Sequence, residues 1–226
     1  MAIKISKSKE SLSDKAYRQL KAKILDNELH AGQQMIEAEV SELLNMSRTP
    51  TREAMLRIAN EGLIELKPRH GMRIKPISVI DMQEIYEILT GIEATAAALC
   101  AKKGLSEDQL SLMRDAVEEM DQALLQDDLK KWAHSDERFH RYLVEFSNNK
   151  RLNVLVGNFI EQSHRARMMT LKFRPKPTDS NKDHLNLILA IEARDSEKAR
   201  LIHHNHRDAS GNMLIELLKK YGLNNI

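Results

Sequence analysis

The chain has one cysteine, Cys100, so it cannot close an internal disulfide; that usage fits a reducing compartment. No apolar run approaches the roughly 18 residues that a membrane-spanning helix needs. The opening M-A-I-K-I-S-K-S-K has no signal-peptide core. A soluble, cytoplasmic protein with no membrane partner is expected. Glycine and proline are scarce, at 8 and 5 of 226 residues, which points to a helix-dominated chain. Internal repeats and low-complexity tracts are absent as well.

What is present divides unevenly. The length allows two modest domains, each with its own core. Net charge is +2 overall, but residues 1–78 hold 14 Lys and Arg against 10 Asp and Glu, giving +4, and the remainder holds 21 against 23, giving −2. A basic front on a mildly acidic back fits a DNA-binding head on a nearly neutral body.

The head is organised around Ser47–Arg57, S-R-T-P-T-R-E-A-M-L-R, followed by E-G-L-I. Ser47 and Thr49 can cap a helix start, and Pro50 is tolerated in a first turn. Ala54, Met55 and Ile58 supply an apolar stripe at helical spacing. Arg48, Thr49, Thr51 and Arg52 gather at the N-terminal end, where a recognition helix meets base edges and phosphates. An arginine there can chelate guanine, and a threonine can reach a phosphate or a thymine methyl. A capped surface helix with ordinary arginines has the same local pattern, so the flanking segments decide.

Residues 1–10 read as a loose polar arm. Leu12–Asn27 is amphipathic through Ala16, Tyr17, Leu20 and Ile24; Glu37–Leu44 is a short helix with Val40, Leu43 and Leu44 inward. After Gly62, two short strands are expected, Leu63–Lys67 and Met72–Lys75. Pro68, Arg69, His70 and Gly71 join them, and Gly71 permits close backbone approach. A helix-turn-helix followed by a basic hairpin is a winged helix, whose wing lies along phosphates or in the minor groove. Arg69 and His70 would sit at its tip. These features resemble the GntR family of bacterial transcription regulators: Gly32 before the second helix, S-R-T-P-T-R-E-A-M from Ser47, E-G-L-I from Glu61 and P-R-H-G from Pro68. The resemblance implies operator contacts from Arg48, Thr49, Arg52, His70 and Gly71.

Residues 11–77 would form this head, and residues 78–226 carry helical periodicity alone. Ser78 can cap a helix to Lys103, stopped by Gly104, and Ser106 with Gln109 forms a capping box for a helix to about Asp127. Asp128 starts a third, ending near Asn148. Lys150–Lys172 is a fourth, broken by Arg174-Pro175-Lys176-Pro177. Thr178–Ser180 opens a fifth to Arg194, and Asp195 or Ser196 caps a sixth to about Tyr221. The fold class expected is mainly α, a winged helix-turn-helix followed by an antiparallel bundle of about six helices.

Polar residues interrupt the apolar faces of that bundle. Asp136 and His140 are one turn apart on a face shared with Phe139 and Leu143. His184 lines up with Leu187, Ile188 and Ile191, and His206 with Ile202, Ala209 and Met213. Burying such groups unpaired costs a few kcal/mol each. One divalent cation would satisfy all four, and three nitrogens with one oxygen suit zinc, nickel or a similar metal. Three separate core histidines, each bonded to a carbonyl, remain the alternative from spacing alone. His203 is second to His206 as the ligand from the last helix; His204 points away, and His134 and His164 have no comparable support.

The C-terminal region resembles the FCD ligand-binding domain of FadR-like regulators, and its six helices resemble the VanR-type subset. That resemblance implies a metal held by Asp136, His140, His184 and His206. It also exposes a departure: many relatives place an arginine four residues before the glutamate of the motif that here reads L-T-G-I-E, and Leu89 stands there. Arg165 and Arg167 could replace it as effector-binding residues, or could be simply solvated. The resulting expectation is a DNA-binding regulator, a repressor. It would bind a pseudo-palindromic operator as a homodimer and answer to a carboxylate-containing metabolite. Two alternatives differ in the metal: a regulator in which it is only structural, and a metal-dependent hydrolase, against which stands the absence of H-E-x-x-H.

Overall fold

Ser11 starts helix α1 (Leu12–Leu25) by accepting the Asp14 backbone N–H at 3.0 Å. The computed structural model describes residues 10–222; the expected arm over residues 1–10 lies outside them except for Glu10, which pairs with Arg18 at 2.9 Å. Ala16, Leu20 and Ile24 of α1 are buried as their spacing requires. Helix α2 (Glu37–Leu44) buries Val40 and Leu44. Leu43, expected inward, is 40% exposed, because a two-turn helix has room for only a narrow inward stripe. Asn45 in the left-handed region, φ +50°, turns the chain into α3 (Arg48–Asn60). Ser47 occupies the cap position of α3, but its hydroxyl makes no cap bond.

Three short strands form the wing: β1 (Gln34–Met35), β2 (Ile64–Lys67) and β3 (Gly71–Ile74), antiparallel in the order β1-β3-β2. The hairpin register pairs Ile64 with Ile74 and Lys67 with Gly71. Met35 of β1 lies opposite Met72; two residues are too few to show a period, which is why sequence reasoning missed this strand. Gly71 has φ +78°, and a Cβ there would run into the Met35 carbonyl and the Ile36 Cα. Its close backbone approach is thus to β1 within the sheet. Leu20, Ile24, Ile58, Ile64, Met72 and Ile74 meet in one core, each worth about 1.5–3 kcal/mol of burial.

The chain divides into two compact units between Pro76 and Ile77, one residue before the expected boundary. The second unit is a bundle of six α-helices among the described residues. They are α4 (Val79–Lys103), α5 (Glu107–Leu125), α6 (Leu129–Phe146), α7 (Lys150–Thr170), α8 (Thr178–Glu192) and α9 (Ser196–Lys220), with a 3-10 turn at Leu171–Phe173 after α7. The starts follow local chemistry: Ser78 caps α4, Ser106 and Gln109 form the capping box of α5, and Asp128, Asn149 and Asp195 cap α6, α7 and α9.

Helices α4 and α9 run antiparallel along each other. Ser196 at the start of α9 donates to the Ala98 carbonyl late in α4. Gly211, further along α9, meets Tyr86 near the start of α4, where a Cβ would stand 2.7 Å from the ring. Trp132 of α6 donates its indole N–H to Asn181 of α8 at 2.9 Å, and Asn181 donates to Asp121 of α5 at 2.6 Å. These ties hold the polar residues of α4, α6, α8 and α9 around one apolar core.

Candidate metal centre and DNA-reading face

On the first unit, Arg48, Thr49, Arg52, Arg69 and His70 are exposed. Arg48, Arg52 and Arg69 form no ion pair among the described residues, and they line an open cleft between α3 and the wing with Glu37 and Leu56. Arg57 differs: it pairs with Asp14 at 2.8 Å and lies over the Tyr17 ring, with 3.8 Å between guanidinium carbon and centroid. Arg48 and Arg52 thus stay uncommitted on the surface of α3, whereas Arg57, also exposed, is tied to α1. Thr51 departs from expectation. It is fully buried and its hydroxyl donates to the Ser47 carbonyl at 3.0 Å, so it closes the first turn of α3 and does not face solvent.

Within the bundle, Asp136 and His140 (α6), His184 (α8) and His206 (α9) converge, all buried. Each offers a ligand atom, and these atoms lie within 4.8 Å of one another. Asp136 Oδ1 is 3.0 Å from His184 Nε2 and 3.7 Å from His140 Nε2. Ligand atoms about 2.1 Å from a common ion stand at most about 4.2 Å apart, so small side-chain adjustments bring all four within reach of one cation. Burial pushes His184 well below the ordinary histidine range and lowers His206 too. Neutral imidazoles with available lone pairs are the form a metal binds. For Asp136, burial would raise the pKa, yet the Arg167 guanidinium and the His140 ring hold the carboxyl well below the usual range.

One buried ring nitrogen bears directly on the fit. His140 Nδ1 is 2.9 Å from Glu93 Oε2, and its Nε2 has no hydrogen-bond partner among the described residues; His184 Nδ1 has none either. A buried nitrogen left unsatisfied is costly, and a cation next to Asp136 would relieve it at His140. The donor set of three imidazoles and one carboxylate fits zinc or nickel.

Several neighbours were not legible as site residues. Glu93 of α4 is fully buried and accepts from His140, from His203 Nε2 at 2.9 Å and from Arg207 Nε at 2.9 Å. His203 thus belongs to Glu93 and stands outside the Asp136 group, while His204 is exposed as expected. Asp183 faces His206 Nδ1 at 3.4 Å. The sequence signal for Glu93 was present: a carboxylate in the apolar stripe of Leu89, Ala96, Ala97 and Cys100.

Arg165 and Arg167 are not solvated; they are 3% and 4% exposed. The stripe of α7 that holds them faces inward with Ser163 and Ala166. Arg167 Nη1 is 2.8 Å from Asp136 Oδ2. It also lines a cavity of about 10 Å³ with Tyr86, Trp132, Asp136, Arg174 and His206, a space of the order of one water molecule. The Tyr86 hydroxyl, Arg167 Nε and Nη2, and Arg174 Nε are buried there without hydrogen-bond partners among the described residues. Arg174 stacks over the Trp132 ring at 4.9 Å. Arg165 is not among the lining residues, and burial pushes it down to about 10.

A winged helix with a free basic cleft, followed by a helical bundle with a closed polar centre, defines a DNA-binding transcription regulator with a helical effector domain. The chain belongs to the GntR family. The family described as "Bacterial regulatory proteins, gntR family" matches residues 12–74, and the FCD domain matches residues 84–209. An uncharacterised HTH-type regulator from the TAR-I ttuE-ttuC' intergenic region of Agrobacterium vitis is 40% identical over 131 residues, covering 57% of this chain and 77% of that protein. The HTH-type transcriptional repressor RspR of Escherichia coli K12 is 25% identical over 188 residues, covering 83% and 82%. The solved structure of E. coli McbR/YncC shares the fold with a TM-score of 0.82 at 22% identity, covering 94% of this chain and all of that one. The family consists of transcription regulators, which removes the hydrolase alternative. No described helix is long and apolar enough to cross a membrane.

Proposed function

We propose that this chain is a metabolite-responsive repressor acting in the cytoplasm. It binds a pseudo-palindromic operator as a homodimer, and Asp136, His140, His184 and His206 hold a divalent cation, zinc or nickel. A head that reads one half-site gains affinity and register from a second copy on a two-fold site. The repressor reading is supported by similarity to a protein named as a repressor. Operator contact falls to Arg48, Thr49, Arg52, Arg69 and His70, with Thr51 and Gly71 supporting the helix start and wing from inside. The observation that carries the metal is the His140 Nε2, buried without a hydrogen-bond partner among the described residues and 3.7 Å from a carboxylate oxygen.

When bound, the ion supplies positive charge and open coordination positions that an effector oxygen can take. Arg167 and Arg174 stand in for the arginine that Leu89 replaces, with cavity-facing nitrogens suited to a carboxylate. The cavity has room for about one water, so an effector needs more space than these side chains now leave. Elemental analysis of purified protein is the first test: about one equivalent of metal is expected. It should be lost in His140→Ala and His184→Ala and retained in His204→Ala. Protein without metal, with both variants melting like the parent, would overturn the site. A metabolite that shifts melting equally in metal-free protein would leave the ion purely structural.

A further inference from the structure

Glu93 gathers four N–H donors around one carboxylate. Arg207 donates through Nε at 2.9 Å to Oε2 and through Nη2 at 2.5 Å to Oε1, while His140 Nδ1 and His203 Nε2 each lie 2.9 Å from Oε2. All of these groups are buried. Glu93, His140 and His203 could be read as a second cation group, yet the arrangement opposes that. A carboxylate oxygen has about two lone pairs, Oε2 already meets three donors, and Arg207 already supplies the positive charge. The ionised carboxylate can only accept, so each facing imidazole nitrogen must carry a proton. For His140 that places the proton on Nδ1 and leaves a lone pair on Nε2, the atom that turns toward Asp136.

We propose that Glu93, kept charged by Arg207, is the positioning residue of the metal centre: it fixes the tautomer and ring orientation of His140, so that Nε2 meets the ion. The inference rests on the metal reading above. It ties three helices to one ligand, because Glu93 comes from α4, His140 from α6, and His203 and Arg207 from successive turns of α9. Outer partners of this kind typically change metal affinity 10- to 100-fold.

The test uses the full chain in two measurements. Imidazole ¹⁵N NMR of metal-free protein should find His140 as the Nδ1–H tautomer and His203 as the Nε2–H tautomer. Competition with a chelating dye should show zinc binding about 10- to 100-fold weaker in Glu93→Gln. Because that variant leaves Arg207 charged in the core, Glu93→Gln/Arg207→Met is measured beside it and should show the same loss. His140 carrying its proton on Nε2 in the parent protein overturns the proposal. So does parental zinc affinity in either folded variant. A parent chain that takes no zinc at all sinks the metal reading and this inference with it, whereas unchanged affinity in the variants sinks the inference alone.

Discussion

Arg167 holds Asp136 by Oδ2 at 2.8 Å, leaving Oδ1 to face the imidazoles of His140 and His184. One carboxylate is thus shared between a fixed cation and the proposed ion. Arg167→Met removes the fixed cation and leaves a buried negative charge, a change that costs about 3–5 kcal/mol when nothing replaces the partner. Bound metal would neutralise part of that charge. Urea denaturation should therefore show a larger loss in chelator than in zinc. Equal losses under both conditions would mean that the ion does not share this carboxylate.

On the proposed DNA face, Arg52 is exposed and forms no ion pair among the described residues. Arg52→Ala should weaken binding to the specific operator by about 1–3 kcal/mol if it reads a guanine. Lys75→Ala should act less and about equally on all sequences. Binding should also fall steeply with salt as counterions are released. Titration of both variants against operator and random duplexes separates the roles: an equal loss on both for Arg52→Ala would reduce it to a phosphate contact.

The elements legible in advance were those whose cause is local. Ser78, Ser106, Asp128 and Asp195 start helices through their own side chains, so each start could be read from a few residues. That Asp136, His140, His184 and His206 face inward was also readable, because an inward polar group breaks an apolar stripe; that they meet as one group followed from the family resemblance. What escaped was set by partners that the spacing of apolar and polar residues does not reveal. Thr51 is buried because its hydroxyl turns back to Ser47, Gly71 is required by the backbone of β1, and Arg167 faces inward to meet Asp136 from another helix. Helical periodicity gives a face, but not which long side chain will be taken below the surface by an opposite charge.

The buried histidines give the metal-free bundle a defined pH response. His184, His203 and His206 lie below the ordinary histidine range, in each case chiefly through burial, and His203 is pushed down to about 3. An unfolded chain protonates each near 6.5. Below that pH the unfolded state binds more protons than the native one, so this stability is complete above about 6.5 and is lost as pH falls, for His203 down to about 3. Each such histidine contributes a slope of about 1.4 kcal/mol per pH unit within its window. Melting of chelator-treated protein between pH 7.5 and 5 should show stability falling on acidification. Rising or flat stability would contradict the burial of these rings as neutral groups.

Metal and effector should be more tightly linked than either is to DNA binding. Trp132 stacks on Arg174, Asp136 pairs with Arg167, and both arginines and Tyr86 line the cavity with polar atoms that have no hydrogen-bond partner among the described residues. An effector carboxylate would meet the ion on one side and these donors on the other, in a buried site where charge-assisted bonds are strong. Losing the ion removes the largest charge in the site, and it also leaves Asp136 as a repulsive neighbour balanced by Arg167 alone. Chelation should therefore abolish the thermal shift given by an effector found in a metabolite screen. Arg174→Ala and Arg167→Ala should each weaken that effector by about tenfold, roughly 1.4 kcal/mol. The winged helix has its own core and its own cleft, so metal-free protein should still retard operator DNA in a mobility assay. Effector affinity that survives chelation but disappears in Arg174→Ala would place recognition in the arginines and leave the ion no part in it.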